Sequence, residues 1–134
     1  MSVLLDTNAC IAVMNNRPRA RERLKQIRLQ RETAFVSTVT LFELWFGIAK
    51  STRQADNANR FSDFLPAVEI LEFDDGDARS AAYLRLALAR AGTPIGSYDL
   101  LIAGQALHHD LAVVTANVAE FSRVPELRWE NWEN

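Results

Sequence analysis

The chain has 134 residues, of which 49% are hydrophobic and 24% charged, so it is long and apolar enough to bury a core, which excludes a disordered chain. Fifteen Lys and Arg against seventeen Asp and Glu leave a net charge of −2, which excludes a uniformly cationic surface that binds nucleic acid by bulk charge. The single cysteine, Cys10, excludes an internal disulfide framework and a cysteine-rich zinc site.

Four short apolar runs, each ending at a polar residue, predict β-strands. They cover residues 3–5, 34–36, 68–73 and 111–114, and they end at Asp6, Ser37, Asp74 and Thr115. Between them the spacing of apolar residues predicts helices over 9–16, 38–50, 77–91 and 98–108. Strands too apolar to have a solvated face favour a mainly parallel sheet covered by helices, in one α/β domain over residues 1–134.

The sequence contains no recognisable targeting or membrane segment. A charge at Asp6 comes too early for the apolar region of a signal peptide, and no apolar run approaches the roughly 18 residues of a membrane span. We therefore expect a cytoplasmic protein that does not associate with membranes.

Two carboxylates lie where packing alone would not place them. Asp6 follows the first strand, at the carboxyl end where open α/β sheets bind ligands, although it could equally cap the helix that follows. Glu43 is the only charge in the apolar stretch 39–49, which we expect to be substantially buried. A buried carboxylate must be paired with a base, protonated, or bound to a cation, and an ion pair with an Arg is the alternative to a ligand role.

Two further carboxylates follow the same pattern near the carboxyl end of the chain. Asp99 lies in the first turn of a predicted helix, where a favourable interaction with the helix dipole is the simpler explanation. Glu120 lies one turn after Asn117, which follows the last strand, and could as well be a solvated surface residue.

Taken together, the four carboxylates indicate a metal site. Asp6 follows a strand, and Glu43 and Asp99 start helices that should pack on the same sheet, so we expect them to converge. Clustered carboxylates repel one another unless cations neutralise them, and oxygen ligands without His or Cys suit Mg²⁺ or Mn²⁺. Such a site can bind a phosphate and activate a water, which predicts hydrolysis of phosphodiester bonds.

Four segments of the chain resemble the four motifs of PIN-domain ribonucleases, and most closely those of the VapC-type toxins of bacterial toxin–antitoxin pairs. The segments are LLDTN at 4–8, STVTLFEL at 37–44, GSYDLLIA at 96–103 and VVTANVAEF at 113–121. The likeness covers essentially the whole chain. It implies an α/β/α sandwich with a mainly parallel sheet of four to five strands.

The resemblance also implies an activity, partners and residue roles. The expected activity is an endoribonuclease dependent on Mg²⁺ or Mn²⁺, and the expected partners are RNA, a cognate VapB-type antitoxin and a second copy of the chain, with a larger toxin–antitoxin assembly possible. The metal-binding and catalytic residues are Asp6, Glu43, Asp99 and, where many relatives carry an Asp at position 117, Glu120 one turn later. Residues expected to orient the carboxylates, the water or the substrate are Thr7, Asn8, Thr115 and Asn117.

The basic residues are unevenly distributed. Seven of the fifteen lie within residues 17–31. If this stretch is helical, four of them flank an apolar stripe on one side and are candidate contacts to an RNA backbone: Arg17, Arg21, Lys25 and Arg28. A solvated helix face or a surface that docks the antitoxin is the alternative.

The remaining unusual residues have simpler interpretations. Trp45 and Phe46 are expected in the core or in an interface, and Trp129 and Trp132 on a tail that folds back on the sheet edge. The pair His108–His109 is expected to interact with the carboxyl end of a helix, because no third soft ligand for zinc is evident.

Two other classes of function remain as alternatives. One is a catalytically inert PIN-like module that acts only through protein contacts. The other is an aspartate-based phosphotransfer or phosphatase domain, which is disfavoured because the position two residues after Asp6 is Asn8 and not a second Asp.

Overall fold

A computed structural model describes residues 1–133. Its strands are β1 (Val3–Leu5), β2 (Ala34–Ser37), β3 (Glu69–Leu71), β4 (Ala112–Val114) and β5 (Trp129–Glu130). Its helices are α1 (Thr7–Met14), α2 (Pro18–Leu29), α3 (Thr38–Lys50), α4 (Gln54–Phe64), α5 (Asp75–Arg90), α6 (Ser97–His109) and α7 (Val118–Phe121), with a 3₁₀ turn at Leu65–Ala67.

The strands form one parallel sheet in the order β3-β2-β1-β4-β5. The central strand β1 is fully buried, as expected for a parallel strand with helices on both faces. Val3 and Leu5 face the core formed with helices α1 to α4, whereas Leu4 faces the core formed with α5, α6 and Phe121 of α7. The predicted α/β/α sandwich with a sheet of four to five parallel strands is confirmed.

The structure shifts several element boundaries from their predicted positions, because capping groups decide where helices begin. The predicted strand 68–73 is shortened to Glu69–Leu71, and α5 begins at Asp75 and not at Asp77. Asp74 and Asp77 form a capping box, in which each side chain accepts a hydrogen bond of 3.0 Å from the backbone N–H of the other. This box ends the extended chain before residue 74.

The other helix starts follow the same rule. Asp6 caps α1 by accepting a hydrogen bond from the N–H of Ala9, so the helix begins at Thr7 and not at residue 9. Ser37 caps α3 by accepting a hydrogen bond from the N–H of Val39. Helix α6 begins at Ser97, one residue before its predicted start at residue 98, with Gly96 in the cap position.

The carboxyl-terminal segment returns to the sheet, as expected for Trp129 and Trp132. Trp129 belongs to the edge strand β5, which pairs with β4, and Trp132 is buried in the core beside α1 to α4. Within residues 1–133, no helix combines the length and the apolar character that a membrane crossing needs.

Candidate metal and catalytic site

The strand order of the sheet reverses direction beside β1. From β1 the chain proceeds to β2 and β3 on one side, and then crosses to β4 on the other side. Ligand sites of open α/β sheets lie at such a point, outside the carboxyl ends of the two strands. Here Asp6 follows β1 and Thr115 follows β4, and the N–H of Asp6 donates to the carbonyl of Val114 at 3.0 Å.

Asp6 lies at the bottom of this site, with only 4% of its surface exposed. One carboxylate oxygen accepts the 2.8 Å hydrogen bond from Ala9, and the hydroxyl of Thr115 is hydrogen-bonded to the same side chain. Burial raises the pKa of Asp6, the negative charge of Glu43 adds to the rise, and the two hydrogen bonds oppose it. Asp6 therefore caps α1 and also places in the site a carboxylate whose ionisation burial makes unfavourable.

Glu43 approaches Asp6 from α3 and is held by the start of α1. The hydroxyl of Thr7 donates to Glu43 Oε1 at 2.7 Å. Its expected alternative partner, an Arg, is not found, because none of the ion pairs within residues 1–133 includes Glu43. The same is true of Asp6, Asp99 and Glu120, so no basic side chain in the described chain lies within 4.0 Å of these four carboxylates.

Asp99 and Glu120 form a second pair of carboxylates, joined by Asn117. The side-chain amide of Asn117 donates to Asp99 Oδ2 at 2.8 Å and to Glu120 Oε2 at 2.9 Å. The N–H of Gly96 donates to the other oxygen of Glu120 at 3.1 Å. Glu120 is therefore partly exposed but held by hydrogen bonds on both oxygens, and Asn117 acts here as a donor that connects two acids.

The pKa values of these two acids are shifted in opposite directions. Burial, together with the neighbouring Glu120, raises the pKa of Asp99 to about 7, and the charge of Asp6 adds to the rise. The pKa of Glu120 is lowered, because protonated Asp99 donates a hydrogen bond to it and because Gly96, Asn117 and the charge of Arg123 stabilise its anion. The raised pKa of Asp99 and the lowered pKa of Glu120 together favour a pair in which Asp99 is protonated and Glu120 is ionised.

The predicted orienting residues differ in how closely they join this group. Thr7 contacts Glu43, while Thr115 contacts Asp6 and also accepts a 2.8 Å hydrogen bond from the N–H of Asn117. Thr115 and Asn117 thus link Asp6 to the Asp99–Glu120 pair. Asn8 lies exposed in the first turn of α1 and makes no hydrogen bond to these carboxylates among residues 1–133.

Two residues that act on these carboxylates, Glu133 and Gly96, were not predicted from the sequence. The charge of Glu133 is close enough to raise the pKa of Asp6, and Gly96 supplies a backbone N–H to Glu120. Neither has a local signal in the sequence, because Glu133 arrives with the tail after β5 and any residue but proline offers a backbone N–H.

The donor set fits a hard divalent cation. At one edge of the sheet, Glu43 and Asp99 each influence, or are influenced by, the charge of Asp6, and Glu120 is paired with Asp99. Within residues 1–133 none of the four has a basic side chain within 4.0 Å, and no three of them have oxygens within 4.8 Å of one another, so a cation would draw them closer. The most buried of them, Asp6, has a raised pKa. Oxygen ligands are those that Mg²⁺ and Mn²⁺ prefer, and a bound cation would relieve the mutual repulsion.

The apolar face of α3 contradicts one expectation. The stretch 39–49 was expected to be substantially buried, but three of its aromatic side chains are more than half exposed: Phe42 at 55%, Trp45 at 53% and Phe46 at 57%. Phe42 contacts Tyr98 of α6, with ring centroids 5.9 Å apart, so an exposed aromatic surface adjoins the residues that precede Glu43 and Asp99. Periodicity identifies an apolar face but not whether the same chain covers it.

The basic residues of α2 lie on a groove away from the carboxylates. Ala20, Leu24 and Ile27 form the buried stripe, as predicted. A groove of about 940 Å³ between α1, α2 and α4 is lined by Arg21, Lys25 and Arg28, and by Arg60 of α4, which was not predicted, while Arg17 precedes α2 in its cap position. The groove reaches Val13 and Met14, so the eight residues of α1, about 12 Å long, separate it from Asp6.

Comparison with known proteins assigns the chain to a family. The family model described as PIN domain matches residues 3–127. The chain is 39% identical over 133 residues to the tRNA(fMet)-specific endonuclease VapC of Salmonella typhimurium, with 98% of each chain covered. It is 34% identical over 133 residues to ribonuclease VapC2 of Rickettsia felis, with 99% of each covered.

Solved structures agree with this assignment. The crystal structure of VapBC2 from Rickettsia felis bound to a promoter DNA fragment matches with a TM-score of 0.92 at 33% identity, covering 98% of this chain and 99% of the matched chain. DNA-bound VapBC from Salmonella typhimurium matches with a TM-score of 0.90 at 38% identity, covering 98% of both chains. The chain therefore belongs to the PIN-domain family and, within it, to the VapC proteins.

Proposed function

We propose that this chain, as one PIN domain over residues 1–134, is a metal-dependent endoribonuclease that acts as the toxin of a toxin–antitoxin pair in the cytoplasm. The observation that supports the proposal is the electrostatic coupling of Asp6 with Glu43 and with the Asp99–Glu120 pair, where the strand order reverses beside β1. Within residues 1–133 none of these carboxylates has a basic side chain within 4.0 Å. The relatives named endonuclease and ribonuclease support the reaction class.

Asp6, Glu43 and Asp99 would hold the cation, with Glu120 completing the set. Mg²⁺ or Mn²⁺ in such a site supplies positive charge for the scissile phosphate and lowers the pKa of a coordinated water. The chain's own residues fix the ligands: Thr7 orients Glu43, Thr115 orients Asp6, and Asn117 aligns Asp99 with Glu120.

In the metal-free protein, the pKa of about 7 favours a proton on Asp99, next to the carboxylate of Glu120. A cation held by Asp99 would take the place of this proton, because a carboxylate binds a metal in its ionised form. We therefore expect metal binding to strengthen as the pH rises toward and above 7.

The basic groove of α2 is proposed to contact the RNA backbone beyond the cleavage site. Arg17, Arg21, Lys25 and Arg28 concentrate positive charge in a protein of net charge −2. Only the length of α1, about 12 Å, separates this groove from Asp6, so one bound strand could reach both sites.

Two protein partners complete the proposal. The VapBC complexes among the structural neighbours support a VapB-type antitoxin that neutralises this chain. The exposed aromatic face of α3, formed by Phe42, Trp45 and Phe46, supports a homodimer, because apolar patches of this kind on a soluble domain mark interfaces.

The test compares RNA cleavage by the wild type, Asp6→Asn and Asp99→Asn in Mg²⁺ and in EDTA. We expect cleavage by the wild type in Mg²⁺ only, with both variants reduced at least a hundredfold. Glu72→Gln, a change at an exposed carboxylate outside the group, is the matched control and should cleave normally. Equal activity in all four proteins, or activity that survives EDTA, would exclude the proposed chemistry, and no cleavage by any of them would favour the inert module.

A further inference from the structure

The packing of α5 against α6 brings together three side chains with metal-ligating atoms outside the carboxylate site. Asp77 lies in the first turn of α5, and His108 and His109 form the last turn of α6. Each offers one ligand atom, and these atoms all lie within 4.8 Å of one another. About nine residues of helix, or roughly 14 Å, separate this cluster from Asp99 at the other end of α6.

Asp77 has one carboxylate oxygen without a hydrogen bond, although the residue is 0% exposed. Its Oδ2 accepts hydrogen bonds from the N–H of Asp74 at 3.0 Å and from Gln105 Nε2 at 3.1 Å. Its Oδ1 is buried and has no hydrogen-bond partner among residues 1–133. His109 Nε2 lies 2.9 Å from Oδ1, a distance at which the two groups form an ion pair only when the imidazole is protonated.

This arrangement leaves a charged oxygen and a ring nitrogen side by side. A buried carboxylate oxygen without a partner is costly. Two ligands of a tetrahedral Zn²⁺, with bonds of about 2.0–2.1 Å, lie roughly 3.3 Å apart, close to the observed separation. A cation between the two atoms would supply the partner that Oδ1 lacks.

A glycine leaves room for the third ligand. A Cβ at Gly76 would lie 2.5 Å from His108 Nε2, so a larger residue there would displace the imidazole from its position beside Asp77. The two rings are nearly perpendicular, with centroids 5.0 Å apart. The His109 side chain is 32% exposed, and His108 is exposed as well, so an ion from solvent can reach both rings.

We propose that Asp77, His108 and His109 form a second metal site, selective for Zn²⁺, that fastens the first turn of α5 to the last turn of α6. Two imidazoles and one carboxylate are a donor set typical of Zn²⁺, and water completes the fourth position. The ligand type separates this site from the all-oxygen group, which suits Mg²⁺. Asp77 is also oriented as a ligand should be, because Gln105 and the backbone of Asp74 fix its other oxygen.

The site does not depend on the proposed nuclease function. Its effect is on the helix pair that carries Asp99, since the metal would add a link between the first turn of α5 and the last turn of α6 to the hydrogen bonds that already join the two helices. The His108–His109 pair was evident in the sequence but its third ligand was not, because Asp77 lies 31 residues before His108 on another helix.

The chain contains only two histidines, which permits a direct test by NMR of the imidazole ¹H and ¹⁵N signals. The tag-free full chain is titrated with Zn²⁺ in excess Mg²⁺, which saturates the oxygen site. We expect both rings to shift together and to saturate at one equivalent of Zn²⁺, while Mg²⁺ alone shifts neither. A titration in which neither ring moves, or only one, would overturn the proposal.

Two variants distinguish Zn²⁺ binding at the Asp77–His108–His109 site from binding at the carboxylate site. His108→Gln should weaken Zn²⁺ binding, measured by competition with a chromophoric chelator, at least about tenfold. Asp99→Asn should leave it unchanged. The reverse pattern, with binding lost in Asp99→Asn and kept in His108→Gln, would contradict the proposal. Asp77→Ala is avoided because Asp77 also forms the capping box, and the wild-type titration decides the matter if a histidine variant fails to fold.

Discussion

Asp99→Asn should stabilise the metal-free protein at alkaline pH and leave it nearly unchanged at acidic pH. The substitution keeps the shape of the side chain and an oxygen that can accept from Asn117, which donates to Asp99 at 2.8 Å in the wild type. It removes the negative charge that burial and Glu120 make unfavourable. The gain in stability should therefore follow the ionisation of Asp99.

The direction and size of this effect follow from the raised pKa. Folding raises the pKa of Asp99 from 3.8 to about 7, so between these values the folded protein holds a proton that the unfolded chain has lost. Wild-type stability should thus fall as pH rises from about 4 to 7, and stay level above that. The full shift corresponds to about 4 kcal/mol, but Asp99 is only half-buried and solvent screens it, so we expect about 1–2 kcal/mol.

Thermal unfolding in EDTA at pH 5 and pH 8 measures the effect. For a chain of this size, 1–2 kcal/mol corresponds to a Tm difference of about 3–8 °C, present at pH 8 and smaller at pH 5. Adding Mg²⁺ at pH 8 should reverse the order, because only the wild type retains the ligand. Glu72→Gln controls for the loss of one exposed charge. If Asp99→Asn is equally stable or less stable than the wild type at both pH values, the assumed repulsion is absent.

Three further changes test other parts of the structure. Glu43→Gln should be folded and at least as stable as the wild type without metal, because it relieves the repulsion between Glu43 and Asp6. RNA cleavage should be lost in this variant. Strong destabilisation in EDTA would instead indicate that Glu43 makes a structural contact. Arg28→Ala should raise KM for RNA with little change in kcat. It should also reduce the slope of log affinity against log salt concentration by about one. An unchanged slope would show that Arg28 does not contact the RNA backbone. Phe46→Ser should shift the protein toward monomer in light scattering. Its melting temperature should be nearly unchanged, since Phe46 is mostly exposed. An unchanged molecular mass would exclude the aromatic face of α3 from the dimer interface.

Local patterns were sufficient to predict four of the five strands and to place Asp6 and Thr115 at one edge of the sheet. Parallel strands end at one edge of the sheet, so polar residues after Leu5 and Val114 had to lie near each other once the strand order was fixed. The acids on α3 and α6 follow from the same rule, because each helix starts at that edge. What the pattern could not supply was the hydrogen bonding of Asn117, which depends on the position of α7.

Contacts between distant segments were beyond sequence reasoning. The exposure of Trp45 and Phe46 depends on which helices cover α3, and helical spacing contains no such information. Asp77 was predicted only as the start of a helix, yet it is fully buried against α6 and next to His109. In both cases the decisive partner comes from another helix.

The distribution of charge explains how a protein of net charge −2 can approach RNA. The carboxylates at the end of β1 repel a polyanion, and the basic groove lies about 12 Å away, beyond the other end of α1. A strand bound in that groove would have its neighbouring phosphates directed along α1 toward Asp6. Approach to the acids then becomes favourable only when a divalent cation has reversed their charge. If the proposed function holds, the same separation predicts that RNA affinity depends on salt through the groove and that cleavage depends on metal through the carboxylates.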